Sequence, residues 1–164
     1  MKIKALAAAL VLSVSAAASV HGFGLGAQAN MSAGDIFAPG VALLVSPSDR
    51  VNLAFNWYFG PDDEDIIGLT LDAQAVRYPF TDLGAGTLNF TLGIGLFANA
   101  VFSDDDTGFD AGLRVPVGLS LMLFRDGLEI FFHVAPSFGI HLLPSFGTSD
   151  PFFPFALGIR LWFR

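Results

Sequence analysis

The sequence predicts an all-β protein: an eight-stranded antiparallel transmembrane up-and-down β-barrel, preceded by a cleaved signal peptide. Three observations carry this expectation. The segment R-V-N-L-A-F-N-W-Y-F at 50–59 alternates strictly. Val51, Leu53, Phe55, Trp57 and Phe59 share one face, and Asn52, Ala54, Asn56 and Tyr58 share the other, the period of two of a strand. The chain is also apolar, with a mean hydropathy of +0.61 and only 14% charged residues, against about 25% in typical soluble proteins. Yet no evenly apolar helical span follows the N-terminal segment, and in lipid a closed sheet is then the main way to satisfy backbone polar groups. Finally, the face that collects Phe, Leu and Ile alternates with one carrying Gly, Asn, Asp and Arg. A soluble barrel puts its apolar face inside, around a small core; a membrane barrel turns it toward lipid.

Residues 1–22 read as the signal peptide. Lys2 and Lys4 supply the positive start, Ala5 to Val14 the short apolar run, and small residues permit cleavage after Ala18 or after Gly22. The apolar run is far below the roughly 20 residues of a spanning helix. Residues 23–164 then form one barrel domain. Both lysines lie in the signal, so six arginines face fifteen acidic residues in the remainder, a net charge of −9. Such a balance repels nucleic acid. The absence of cysteine excludes a disulfide framework, a lipid-modified cysteine anchor and a thiol nucleophile, and suits passage through an oxidising compartment.

Strand one is expected over Phe23–Met31, with Gln28 and Asn30 inward. Strand two, about Gly40–Val45, alternates poorly (V-A-L-L-V). Strand three is the 50–59 segment. Strand four runs from about Ile66 to Tyr78 with Thr70, Asp72 and Gln74 inward, and strand five from Thr87 to Phe102. Strand six, about Asp110–Leu123, turns Arg114, Gly118 and Ser120 inward. Strand seven, Leu128–Ile140, turns Glu129, His133 and Ser137 inward, and strand eight, from Phe152 to the end, Gly158, Arg160 and Trp162. Short turns at 46–49, 79–86 and 124–127 alternate with longer loops at 32–39, 60–65, 103–108 and 141–151. Short periplasmic turns and longer outer loops are the usual outer-membrane arrangement. Trp57, Tyr58, Phe59, Tyr78, Phe80, Trp162 and Phe163 fall near strand ends, where interfacial aromatics are expected.

The signal, the eight strands and the closing F-F-P-F-A-L-G-I-R-L-W-F-R at 152–164 together resemble the small OmpA/OmpX-like outer-membrane barrels; OmpW-like barrels share the pattern. The resemblance covers the mature chain in pattern only. It implies residence in the outer membrane of a diderm bacterium, contact with outer-membrane lipids, and recognition of the C-terminal strand by the barrel-assembly machinery. The chain departs from the pattern by ending in Arg164 after Phe163.

The candidate site residues follow from the inward pattern. Asp72, Arg114, Glu129, His133 and Arg160 form a lumen polar network or line a pore; an eight-stranded barrel has an interior just wide enough for side chains, so these charges should pair across strands. Inward glycines and alanines leave room for water, which keeps a narrow channel in play. Asp62, Asp63, Glu64 and Asp65, with Asp104, Asp105 and Asp106, form acidic outer loops suited to an extracellular or host ligand. Neither cluster has the spaced ligands of a calcium loop, and no metal or cofactor is expected. Glu129, His133 and Ser137 share one face of strand seven, but residues four apart on a strand lie roughly 13 Å apart, too far for a catalytic relay. His141, Ser145 and Asp150 share a loop without a supporting motif. The expected role is therefore structural or surface-interacting and non-catalytic, with a narrow channel for small solutes as the alternative and a lipid-modifying enzyme behind it.

Overall fold

The computed structural model describes residues 22–34, 36–60, 65–102 and 107–163; the signal segment up to residue 21 lies outside them. The strands are β1 (Phe23–Ala33), β2 (Ile36–Ser48), β3 (Val51–Phe59), β4 (Asp65–Asp82), β5 (Gly86–Phe102), β6 (Thr107–Arg114), β7 (Val117–Leu123), β8 (Leu128–Val134), β9 (Ser137–Leu143), β10 (Gly147–Thr148) and β11 (Phe155–Phe163). β6 and β7 are two halves of one stave, as are β8 and β9. β5 pairs with both β6 and β7, β6 with β9, β7 with β8, and β8 with β11. β11 then pairs with β1 from Phe23↔Phe163 to Met31↔Phe155 and closes the ring. The result is an antiparallel up-and-down barrel of eight staves, without the sheet edges that lipid cannot satisfy.

Closure follows from alternation. Val41 is 51% and Leu43 68% exposed, while Ala42 and Leu44 between them are 4% and 3% exposed. The poorly alternating second strand is therefore a regular one whose Leu44 enters the lumen and packs with Ala42, Ala54 and Phe131. Leu69, Leu71, Ile94, Leu96, Leu113, Leu119, Leu157 and Ile159 continue the outward apolar band. Exposed aromatics mark its two ends, with Tyr78, Phe80, Phe124 and Phe163 toward the tight turns and Phe37, Trp57, Phe59 and Phe102 toward the longer connections. Apolar outside and polar inside is the architecture of a transmembrane barrel.

Several boundaries differ from expectation. β2 begins at Ile36, so the 32–39 loop is mostly strand, and the 46–49 turn contracts to Asp49–Arg50. β4 and β5 extend until residues 83–85 alone connect them, β6 starts at Thr107, and β9 runs into the 141–151 loop and pairs there with β10. Strands six and seven are each interrupted, at Pro116 and Pro136. A proline has no N–H for the ladder. The carbonyls of Pro116, Pro136 and Pro154 still accept from the N–H groups of Gly93, Val115 and Ala135 at 2.8, 2.9 and 2.8 Å. Each of these three pairs lacks its return bond, which gives a proline seam across four neighbouring staves.

Several inward glycines seat rings rather than hollow the lumen. A Cβ on Gly112 or Gly139, which face each other across β6 and β9, would lie 2.7 and 2.8 Å from the Phe97 ring. Phe97 itself meets Phe152 edge-on at 5.3 Å between centroids. Phe131 occupies the space over Gly158, and the Arg160 side chain together with the Trp162 ring that over Gly24. At these four positions the expected room for water is taken by aromatic side chains of neighbouring staves, whereas Gly93 and Ala54 do line a lumen cavity. Gly112→Val is expected to destabilise the barrel by about 1–3 kcal/mol or more through overpacking. Gly147→Ala, whose Cβ meets nothing closer than 3.9 Å, should be near neutral; urea titration of the two refolded variants checks this.

Candidate functional site

Four of the five lumen charges come from four different staves: Asp72 on β4, Arg114 on β6, Glu129 on β8 and Arg160 on β11. Glu129, 2% exposed, is the most heavily shared. Its Oε2 accepts from Arg160 at 3.1 Å and from the Trp162 indole N–H at 2.9 Å, and its Oε1 from Arg77 at 3.2 Å. Arg160 also lies over the Phe131 and Trp162 rings, 5.0 and 5.3 Å from their centroids, so aromatic faces add to its charge pairing. Farther toward the loop end, Arg114 Nε sits 3.2 Å from Asp72 Oδ1, an ion pair without a well-aligned hydrogen bond. Arg114 also lies 3.2 Å from His133 Nε2; a guanidinium only donates, so that ring nitrogen accepts. His133 stacks on Phe131, 5.8 Å between centroids and 6° between planes.

Arg77 is the residue that strict alternation misses. The β4–β5 register shifts between Gln74 and Val76, and this bulge re-aims the residues beyond it. Arg77 then reaches Gln74 at 3.0 Å as well as Glu129. The consecutive Ala75 and Val76 were the available signal of a phase change. Uncharged groups extend the network: Gln28 donates to Asn30 at 2.6 Å, Asn30 to Asn56 at 2.8 Å, and Ser46 to Asn52 at 2.8 Å.

The residues of the rejected relay are separately engaged. Glu129 holds two guanidiniums, His133 meets Arg114, and Ser137 donates to the Ala135 carbonyl at 2.7 Å. At the loop end His141 Nδ1 pairs with Asp110 at 2.7 Å across β9 and β6. Of the acidic loop residues, Asp65 opens β4 and accepts from the Trp57 indole at 3.0 Å. Asp62, Asp63, Glu64, Asp104, Asp105 and Asp106 lie outside the described residues.

An apolar cluster narrows the loop end of the lumen among the described residues. Ala38, Tyr58 and Ile66 form a buried apolar cluster with Val101 against it. Gly34, at φ +60°, lies close to the Asp110 carboxylate. Deeper in, a cavity of about 50 Å³ remains, lined by Asn52, Gln74, Thr91, Ser120, Arg160 and Asp72 among others. Two smaller spaces of about 10 Å³ each lie toward the loop end. By the measure on which one water needs roughly 10–15 Å³, the larger cavity holds a few waters and the smaller ones at most one each.

Residues 68–163 match the model of the family described as "Protein of unknown function (DUF3996)". No curated protein matches the chain. Among solved structures, the chain is similar to the N-terminal β-barrel domain of Pseudomonas aeruginosa OprF, with 17% identity, 87% of this chain and 98% of that chain covered, and a TM-score of 0.45. It is also similar to Neisserial surface protein A (NspA), with 14% identity, 87% and 96% covered, and a TM-score of 0.44.

Removing the shared carboxylate should cost more than any other single change in the lumen. Glu129→Ala leaves Arg77, Arg160 and the Trp162 indole without their acceptor, and breaking a buried pair in this way costs about 3–5 kcal/mol. Unfolding of the refolded barrel in urea checks this, with Asp65→Ala, at the solvent end, as the near-neutral comparison.

Proposed function

We propose that this chain, which belongs to the family described as protein of unknown function (DUF3996), is an outer-membrane barrel with a plugged lumen. It acts without catalysis, as a structural and surface-interaction protein. The apolar exterior, bounded at both ends by aromatics, supports a membrane position, because no polar face is left outside to meet water across that band. The observation that carries the plugged reading is the Glu129 hub. It spans the interior from β4 to β8 and β11 in a barrel where rings already fill the space over Gly112, Gly139 and Gly158.

With the lumen occupied, the working surface is the loop end. Ten of the fifteen acidic residues fall in the strand ends and connections there, at positions 35, 62–65, 104–106, 110 and 150, and no lysine or arginine falls among them. Such an asymmetry favours encounter with a positively charged partner and repels anionic ones. Export by the N-terminal signal and insertion through the C-terminal strand complete the proposal. The channel reading draws on the 50 Å³ cavity, whose polar lining of Asn52, Thr70, Gln74 and Thr91 is interrupted by the Phe131 ring.

Planar-bilayer recording of the purified, refolded protein tests the proposal, with heat-modifiable gel mobility confirming the fold. Wild type is expected to give no unitary conductance, whereas the double variant Phe131→Ala/Arg160→Ala, which removes a ring and a guanidinium from the lumen, should admit ions. Reproducible wild-type steps that change with Arg114→Ala or Arg160→Ala would make the protein a channel instead.

A further inference from the structure

We propose that the short sheet edge on β10, at the loop end, takes an extended, positively charged segment of a partner protein as an added strand. This deepens the surface-interaction reading above and rests on it. The barrel wall closes between β1 and β11, and the last pair toward the loops is Met31↔Phe155. Beyond it β1 turns into β2, with Ala33 opposite Ile36, while the final stave continues through residues 147–154. Those residues keep β9 on one side, where Gly147 pairs with His141, Thr148 with Ile140 and Phe152 with Ser137. On the other side no described strand pairs with β10.

The ladder sets the direction of the backbone groups. The Ser149 N–H donates to the Gly139 carbonyl at 3.1 Å. Successive positions of an antiparallel pair alternate between bonded and non-bonded, so the N–H and C=O of Thr148 point to the open edge. Such an edge is a template for strand addition. Pro144 and Pro151 bracket it, which keeps it short and limits indiscriminate pairing. Phe146, next to Gly147 and 78% exposed, offers an apolar contact that a merely blunted edge would lack. Charge selects the occupant. Asp150 lies on this segment, and the acidic residues of this end have no lysine or arginine among them. A second copy brings the same acidic mouth and is repelled, whereas a cationic strand is attracted.

Binding of a short blocked peptide of alternating lysine and valine tests the proposal. The refolded protein is held in nanodiscs of zwitterionic phosphatidylcholine, and binding is read by fluorescence anisotropy. The barrel is expected to bind this peptide, less tightly as salt rises, and to bind a glutamate–valine peptide about tenfold more weakly. The fully N-methylated lysine peptide keeps the charge but has no backbone donor. That peptide, and Thr148→Pro in the protein, should each lose about tenfold in affinity, the effect of one or two ordinary hydrogen bonds. Thr148→Pro spares the bonds to β9, and heat-modifiable mobility checks its fold; the methylated peptide on the wild-type barrel decides if the variant does not fold. Binding that survives either change would overturn strand addition and leave an electrostatic surface, with the surface-interaction reading intact. Equal binding of the glutamate peptide would overturn the choice of a cationic partner, and no binding of the lysine peptide would overturn both the added strand and the attraction of positive partners.

Discussion

The Glu129 carboxylate is the interaction on which the interior depends. A barrel closed by backbone hydrogen bonds alone fixes its wall but not its contents. Here one carboxylate, 2% exposed, accepts from Arg77 of β4 and from Arg160 and Trp162 of β11. It thereby ties together staves that are distant in sequence. Buried ion pairs are weak sources of net stability, but their partial loss is severe. Such a hub therefore acts less as a stabiliser than as a constraint, because no member can move or be removed without orphaning the rest. The ring seats reinforce it. Arg160 lies over the Phe131 and Trp162 rings, and this packing needs Gly158 beneath Phe131 and Gly24 beneath Arg160 and Trp162, where a side chain would collide.

Most of the wall was legible in the sequence, and for a physical reason. A strand with lipid on one side and a narrow lumen on the other must alternate at every residue, so the pattern at 50–59 and its recurrences specify face and register together. The inward placement of Asp72, Arg114, Glu129 and Arg160 came from that rule, and so did the expectation that they pair. The second strand was obscured because Leu44 faces the lumen, where an apolar residue breaks the polarity code without breaking the geometry.

The rest was hidden because it depends on neighbours. Alternation cannot register a bulge, so Arg77, beyond the shift at Gln74–Val76, lay off the inward face. Nor can it say whether an inward glycine is empty space or a seat. That is decided by Phe97, Phe131 and Trp162 from other staves, tens of residues away in the chain. Pro116 and Pro136 stood in plain view, and their rule is local; their alignment with Pro154 into one seam is set by register between staves. The acidic loops are legible only as charge, which is why the loop end supports the sign of a partner and not its identity.

The absence of native cysteine makes the filled lumen directly testable. A single cysteine at Ala54, buried beside Ala42, Leu44 and Phe131, would be challenged with a charged, membrane-impermeant thiol reagent in the folded barrel. A cysteine at the exposed Thr81 would serve as the reactive control. The thiol at position 81 is expected to label rapidly and the one at position 54 to stay protected until the barrel is unfolded. Labelling of both at similar rates in the folded state would mean that water and ions reach the lumen freely, and the packed interior built around Glu129 would be contradicted.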